Sequence, residues 1–97
     1  MAVYKISFAT LAETEIIDAY NFYEDKQKNL GERFLTTIQT SINSIKLNPF
    51  IYQRKYKHFR EAFVKKFPYF LVYEIIGDTI VVVSVFHTSK NPKYKTS

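Results

Sequence analysis

The chain has 97 residues, 46% of them hydrophobic and 18% aromatic, and carries a formal net charge of +5. That is enough apolar material for one folded core and too much for a disordered chain. With no cysteine and only two histidines, His58 and His87, it offers no disulfide framework, no thiolate nucleophile and no metal-ligand spacing, so neither a metal site nor a cofactor is expected.

The charge is uneven along the chain. Residues 1–52 hold five Lys/Arg against six Asp/Glu, and residues 53–97 hold nine against three. A basic half of this kind either attracts a polyanion or an acidic protein, or simply keeps the surface soluble. There is no signal-peptide pattern and no apolar run of membrane-spanning length, so the chain reads as a cytoplasmic protein with no membrane partner.

In chain order, Val3–Phe8 alternates, with Tyr4, Ile6 and Phe8 on one face, and predicts a short strand. Thr10 with Glu13 reads as a capping box opening a helix whose apolar positions are Ala12, Ile16, Ala19 and Tyr23. A second helix is expected over 30–47. Asn29 and Glu32 repeat the capping pattern, Phe34, Leu35, Ile38, Ile42 and Ile45 form the stripe, and Asn48-Pro49 closes the helix. The short turn between the two helices implies an antiparallel hairpin.

Beyond residue 58 the period changes from 3.6 to 2. Strands are predicted over 59–65, 68–76 and 79–87, the last two joined by a tight Gly77-Asp78 turn. The order β-α-α-β-β-β makes an α+β fold, a helical hairpin on one face of a mainly antiparallel four-stranded sheet, in a single domain spanning 1–97.

A two-residue loop pairs Ile76 with Thr79, Tyr73 with Val82, Leu71 with Ser84 and Tyr69 with Phe86. Tyr69, Leu71, Tyr73, Ile75, Ile80, Val82 and Phe86 then face the helices. Phe70, Val72, Glu74, Val81, Val83, Val85 and His87 face outward, on a surface apolar enough to expect a partner chain over it.

Several segments in order and spacing carry a family likeness. They are A-x-x-E-I-x-x-A-x-x-F-Y-E from Ala12, L-G-E-R-F-L from Leu30, R-x-x-x-V-x-x-F-P-Y-x-x-x-Y from Arg60 to Tyr73, and V-F-H-x-x-K-x-P from Val85. Together they resemble the RelE/ParE superfamily of toxins (plasmid stabilisation proteins) from bacterial type II toxin–antitoxin systems, and look closer to ParE-like members. The resemblance implies a toxin neutralised by a cognate antitoxin. Its branches imply different targets: DNA gyrase for ParE-like toxins, messenger RNA on the ribosome for RelE-like ones.

For RNA cleavage the resemblance points to His87, Tyr94, Arg60, Lys65 and Lys90. This chain departs from the nuclease pattern at Phe70, where such relatives carry an arginine, and at Glu61 and Phe63, where they carry lysines. A shift of two residues would bring Lys65 into one of those places. An anionic Glu61 and an apolar Phe70 do not steady a transition-state phosphate, which favours a non-enzymatic, gyrase-directed toxin. Its target contacts would come from Arg54, Lys57, Arg60, Lys65, Lys66, Lys90 and Lys93, and its antitoxin footprint from Val81, Val83 and Val85. The bland readings stand beside these: Tyr69 and Tyr73 as core, Arg60 as a rim ion pair, His87 as a strand-end hydrogen bonder, Lys90 to Lys95 as a solvated end. A basic nucleic-acid-binding module without toxicity is the third possibility.

Overall fold

The computed structural model describes residues 3–95. Strand β1 (Lys5–Phe8) leads into α1 (Thr10–Lys26) and α2 (Leu30–Leu47). Strands β2 (Arg54–Tyr56), β3 (Phe59–Val64), β4 (Tyr69–Ile76) and β5 (Thr79–His87) follow, and a 3-10 turn, Lys93–Lys95, closes the described chain. The sheet has five strands in the order β1-β5-β4-β3-β2, with β1 parallel to β5 and the other pairs antiparallel. The fold class is the expected one, with one strand more. The three residues of β2 are too few for an alternation to register in the sequence. Among the described residues no helix is long and apolar enough to cross a membrane.

The helices lie on one sheet face. Ala12, Ala19, Phe34, Ile38, Ile42 and Ile45 join Ala62, Val64, Leu71, Tyr73, Ile80, Val82 and Val85 in the main core. Each such large side chain contributes about 1.5–3 kcal/mol by leaving water. Tyr23, Phe34, Phe67 and Tyr69 interlock through ring pairs 4.9–5.5 Å apart. Leu35 and Phe8, expected inside, are 40% and 39% exposed.

Neither capping box forms as the sequence suggests. The Ala9 N–H donates to the Val82 carbonyl at 2.9 Å, so sheet pairing runs on to Ala9 and the chain turns straight into α1 with Thr10 already helical. At α2, Asn29 takes a left-handed conformation (φ 71°) and makes no side-chain cap. The Glu24 carboxylate, from the last turns of α1, accepts instead from the Asn29 and Gly31 N–H groups, both at 3.0 Å. It thereby satisfies two free donors at the positive end of α2.

The β4–β5 register holds from Ile76–Thr79 to Tyr73–Val82 and then slips, because Val72 pairs with Ser84, Leu71 with Val85 and Phe70 with Phe86. Val83 is the extra residue of a bulge. The slip reverses the expected sides of Val85 and Phe86. Val85 turns into the helix-side core, while Phe86 joins Val72 and Tyr94 in a second cluster on the outer face, flanked by Tyr56, Phe59, Phe70 and Val83. His87 moves with Val85, its ring 5.3 Å from that of Tyr69.

Candidate functional site

The chain's own C-terminal turn covers part of the outer face. Tyr94 is 9% exposed, and its ring meets those of Phe59, Tyr56 and Phe86 at 5.5, 6.0 and 6.1 Å. Its hydroxyl donates to the Glu61 carboxylate. Lys95 approaches the same carboxylate at 3.7 Å, and the Glu61 side chain is only 9% exposed. Burial pushes the Tyr94 phenol well above its ordinary range, and the hydrogen bond and negative charge of Glu61 push it further the same way. A phenol in that state holds its proton and has already given its hydrogen bond.

His87 lies on the other side of β5. Its Nδ1 accepts from the Ser89 N–H at 3.1 Å and lies 2.7 Å from the Ser89 hydroxyl, which closes the turn after the strand. His87, Lys90 and Lys93 line a cavity of about 410 Å3 whose other walls include Glu15, Asp18, Phe22 and Tyr69. Glu15 also serves the sheet. Strand β1 pairs with β5 only from Thr79 to Val82. Beyond it the Glu15 carboxylate accepts from the Val85 N–H at 2.9 Å and the Ser84 hydroxyl at 2.7 Å.

Arg60 shares the helix face with Ala62 and Val64 and is bound to the loop after α2. Its guanidinium donates to the Tyr52 carbonyl at 2.6 Å and the Phe50 carbonyl at 3.4 Å, and sits 5.2 Å from the centre of the Phe50 ring. Tyr73, fully buried beside it on β4, donates to the Pro49 carbonyl at 2.6 Å. Lys65 and Lys66 are exposed in the β3–β4 turn, and Lys66 lines a separate cavity of about 510 Å3 at the start of α2. Arg54 and Lys57 are exposed on the β2–β3 hairpin.

The sequence-derived set is therefore scattered. His87, Lys90 and Lys93 gather at one end of the helix face, Arg60 braces a loop, Lys65 and Lys66 sit in a turn, and Tyr94 lies on the outer face. Of the three valines, Val81 and Val83 are half-buried, while Val85 is in the core. Sequence reasoning missed Glu61 as the partner of Tyr94 and Glu15 as the acceptor at the β5 edge, since both contacts span long stretches of chain. Glu61 among basic neighbours was the one available signal.

Solved structures that share this fold include two toxin–antitoxin assemblies. The chromosomal ParDE toxin–antitoxin system from P. aeruginosa matches with a TM-score of 0.64 at 12% identity, over 88% of this chain and 96% of that one. The intact E. coli RelBE toxin–antitoxin complex matches with a TM-score of 0.62 at 18% identity, over 87% and 95%. No curated protein matches significantly. Residues 6–92 match the family described as the ParE toxin of the type II toxin–antitoxin system, parDE. Spanning nearly the whole fold, that match makes the chain a member of the ParE toxin family.

Proposed function

We propose that the chain is a toxin of the ParE kind that inhibits DNA gyrase by protein–protein contact, has no nuclease activity of its own, and is neutralised by a cognate antitoxin. The observation that carries this reading is the Tyr94–Glu61 pair. Metal-independent RNA cleavage needs a group able to accept a proton from the 2′-hydroxyl and cations beside the phosphate. Here the tail tyrosine is buried and donates to a carboxylate. Phe63 and Phe70 pair with each other, 5.7 Å between ring centres, at positions where the resemblance to the nucleases implies cations. Family membership and likeness to two toxin–antitoxin structures support the antitoxin as partner. Val81 and Val83, on the outer face that the tail leaves half-covered, are the proposed footprint.

The test is a supercoiling and cleavage-complex assay with purified gyrase, run beside primer extension on messages from expressing cells. Inhibition or trapped cleavage complexes at stoichiometric toxin are expected, with messages intact. No effect on gyrase at large molar excess sinks the reading, and cuts at codon positions would establish the ribosome-directed one.

A further inference from the structure

The turn of the β2–β3 hairpin concentrates cations, and the carboxylates nearest it are already engaged, Glu61 by Tyr94 and Lys95 and Glu74 by His58. From Arg33 to Arg60 the chain contains six Lys/Arg and no acidic residue. Three of them, Arg54, Lys55 and Lys57, are exposed on the hairpin. The Cα partner of Arg54 is Arg60, whose guanidinium is tied to loop carbonyls, so the pairing brings no negative charge. Lys57 and Lys95 both lie over the Tyr56 ring, at 5.2 and 5.9 Å, but Lys95 is also 3.7 Å from the Glu61 carboxylate, which leaves three cations for an outside partner.

The backbone at the tip is unusual for what it carries. Tyr56 pairs with Phe59, leaving Lys57 and His58 as the turn, and Lys57 has φ 52°. Glycine or asparagine fills such a left-handed position with little strain, and a lysine there is uncommon. The position projects a charge at the cost of a strained turn. Strained residues of this kind cluster where they serve contact with a ligand.

Two observations decide what the surface fits. The exposed apolar side chains nearest the basic turn are Phe63, toward the far end of β3, and Phe50 and Ile51 in the loop before β2; none lies among Arg54, Lys55 and Lys57, so the turn itself lacks the aromatic or aliphatic anchor on which protein interfaces depend. The Tyr56 ring is occupied by lysines and packed against Phe59 and Tyr94, so it offers no free face to a base. What remains is a row of flexible ammonium and guanidinium groups suited to phosphates held at regular spacing on a stiff backbone.

We propose that the β2–β3 hairpin binds the phosphate backbone of duplex DNA without sequence preference, through Arg54, Lys55 and Lys57. A gyrase-directed toxin would thereby touch the nucleic acid as well as the enzyme, but the binding itself does not depend on which enzyme is the target.

The test is fluorescence anisotropy of a labelled 30-base-pair duplex with the full chain across a salt series, in the absence of any topoisomerase. Wild type should bind with a slope of log K against log salt of about −3. Lys57→Gly relieves the turn, so the protein should melt no lower than wild type while the slope falls by about one. Combining Lys57→Gly with Arg54→Gln and Lys55→Gln should weaken duplex binding at least about tenfold at low salt. Poly-L-glutamate is the competing polyanion, and an unstructured single strand the competing nucleic acid. Unchanged duplex affinity in the triple variant overturns the proposal. So does wild-type binding to polyglutamate or to the single strand as tight as to the duplex. Failure of these tests leaves the gyrase assay untouched, and a negative gyrase assay leaves these tests untouched.

Discussion

The hydroxyl of Tyr94 donates to the carboxylate of Glu61, 33 positions earlier in the chain, and fixes the C-terminal turn against β3. Hydrogen bonds to charged groups contribute about 1.5–3 kcal/mol, and this one also serves a carboxylate taken almost entirely out of water. Tyr94→Phe should therefore lower unfolding free energy by about 2 kcal/mol in urea titrations. Glu61→Gln, which keeps an acceptor, should cost about 1 kcal/mol or less. A tyrosine held for proton transfer would give the opposite pattern, with stability unchanged and an activity lost.

Alkaline pH probes the buried phenols. Tyr73 is fully buried, and burial pushes its pKa from 10.0 up to about 12, although the charge of Arg60 pulls the other way. The folded value lies above the unfolded one, so the stability it confers is complete below pH 10 and drains away as pH rises toward 12. The loss is about 2–3 kcal/mol from this residue alone. Tyr69 and Tyr94, shifted in the same direction chiefly by burial, should steepen the fall. Urea midpoints measured at pH 8, 10 and 11 should show it. Tyr73→Phe should start about 1 kcal/mol lower at neutral pH through loss of the Pro49 bond, and then decline less steeply.

Gly31 of α2 sits close against Tyr20 of α1. A Cβ there would lie 2.7 Å from the Tyr20 carbonyl oxygen and 2.9 Å from its ring. Backbone must shift to admit it, so Gly31→Ala should destabilise the protein by about 1–3 kcal/mol, despite alanine's better helix propensity. Thermal melting of the variant reads the effect directly.

The bulge in β5 separates two valines that look alike in the sequence. Val85→Asp places a charge in the core and should cost about 4 kcal/mol or more, enough to prevent isolation of folded protein. Val83→Asp alters a half-buried position on the outer face and should cost about 1 kcal/mol while weakening antitoxin binding. Melting curves and co-purification with the antitoxin distinguish the two. A Val83→Asp protein that binds antitoxin as tightly as wild type would move the footprint elsewhere.

The helices, the three long strands and the Gly77-Asp78 hairpin were legible because each rests on a local period or a local turn. What stayed hidden depends on pairs of residues far apart or on single displaced ones. Nothing in "VVVSVFH" marks Val83 as the extra residue, and a period of two carried through it puts Phe86 and Val85 on the wrong sides. The Asn29–Glu32 spacing suggested a cap, while the working acceptor, Glu24, lies in the preceding helix. At the site, the basic run after His87 hid a tyrosine committed to the interior, because its partner Glu61 lies on β3, two strands from β5 in the sheet order and 33 positions earlier in the chain.

The parallel pairing of β1 with β5 sets a timetable for synthesis. Lys5 to Phe8 precede the other described elements in synthesis, but among the described residues their strand partners are Thr79 to Val82. The helical hairpin, clasped by Glu24, can assemble from local contacts long before that, whereas β1 must wait for nearly every other element to be made. A chain stalled anywhere before Thr79 leaves β1 without a neighbouring strand, and with it the Ala9 bond to Val82 that sets the start of α1. A translation interrupted before β5 therefore yields no copy of the finished sheet, and the first strand of the fold is among the last to find its place.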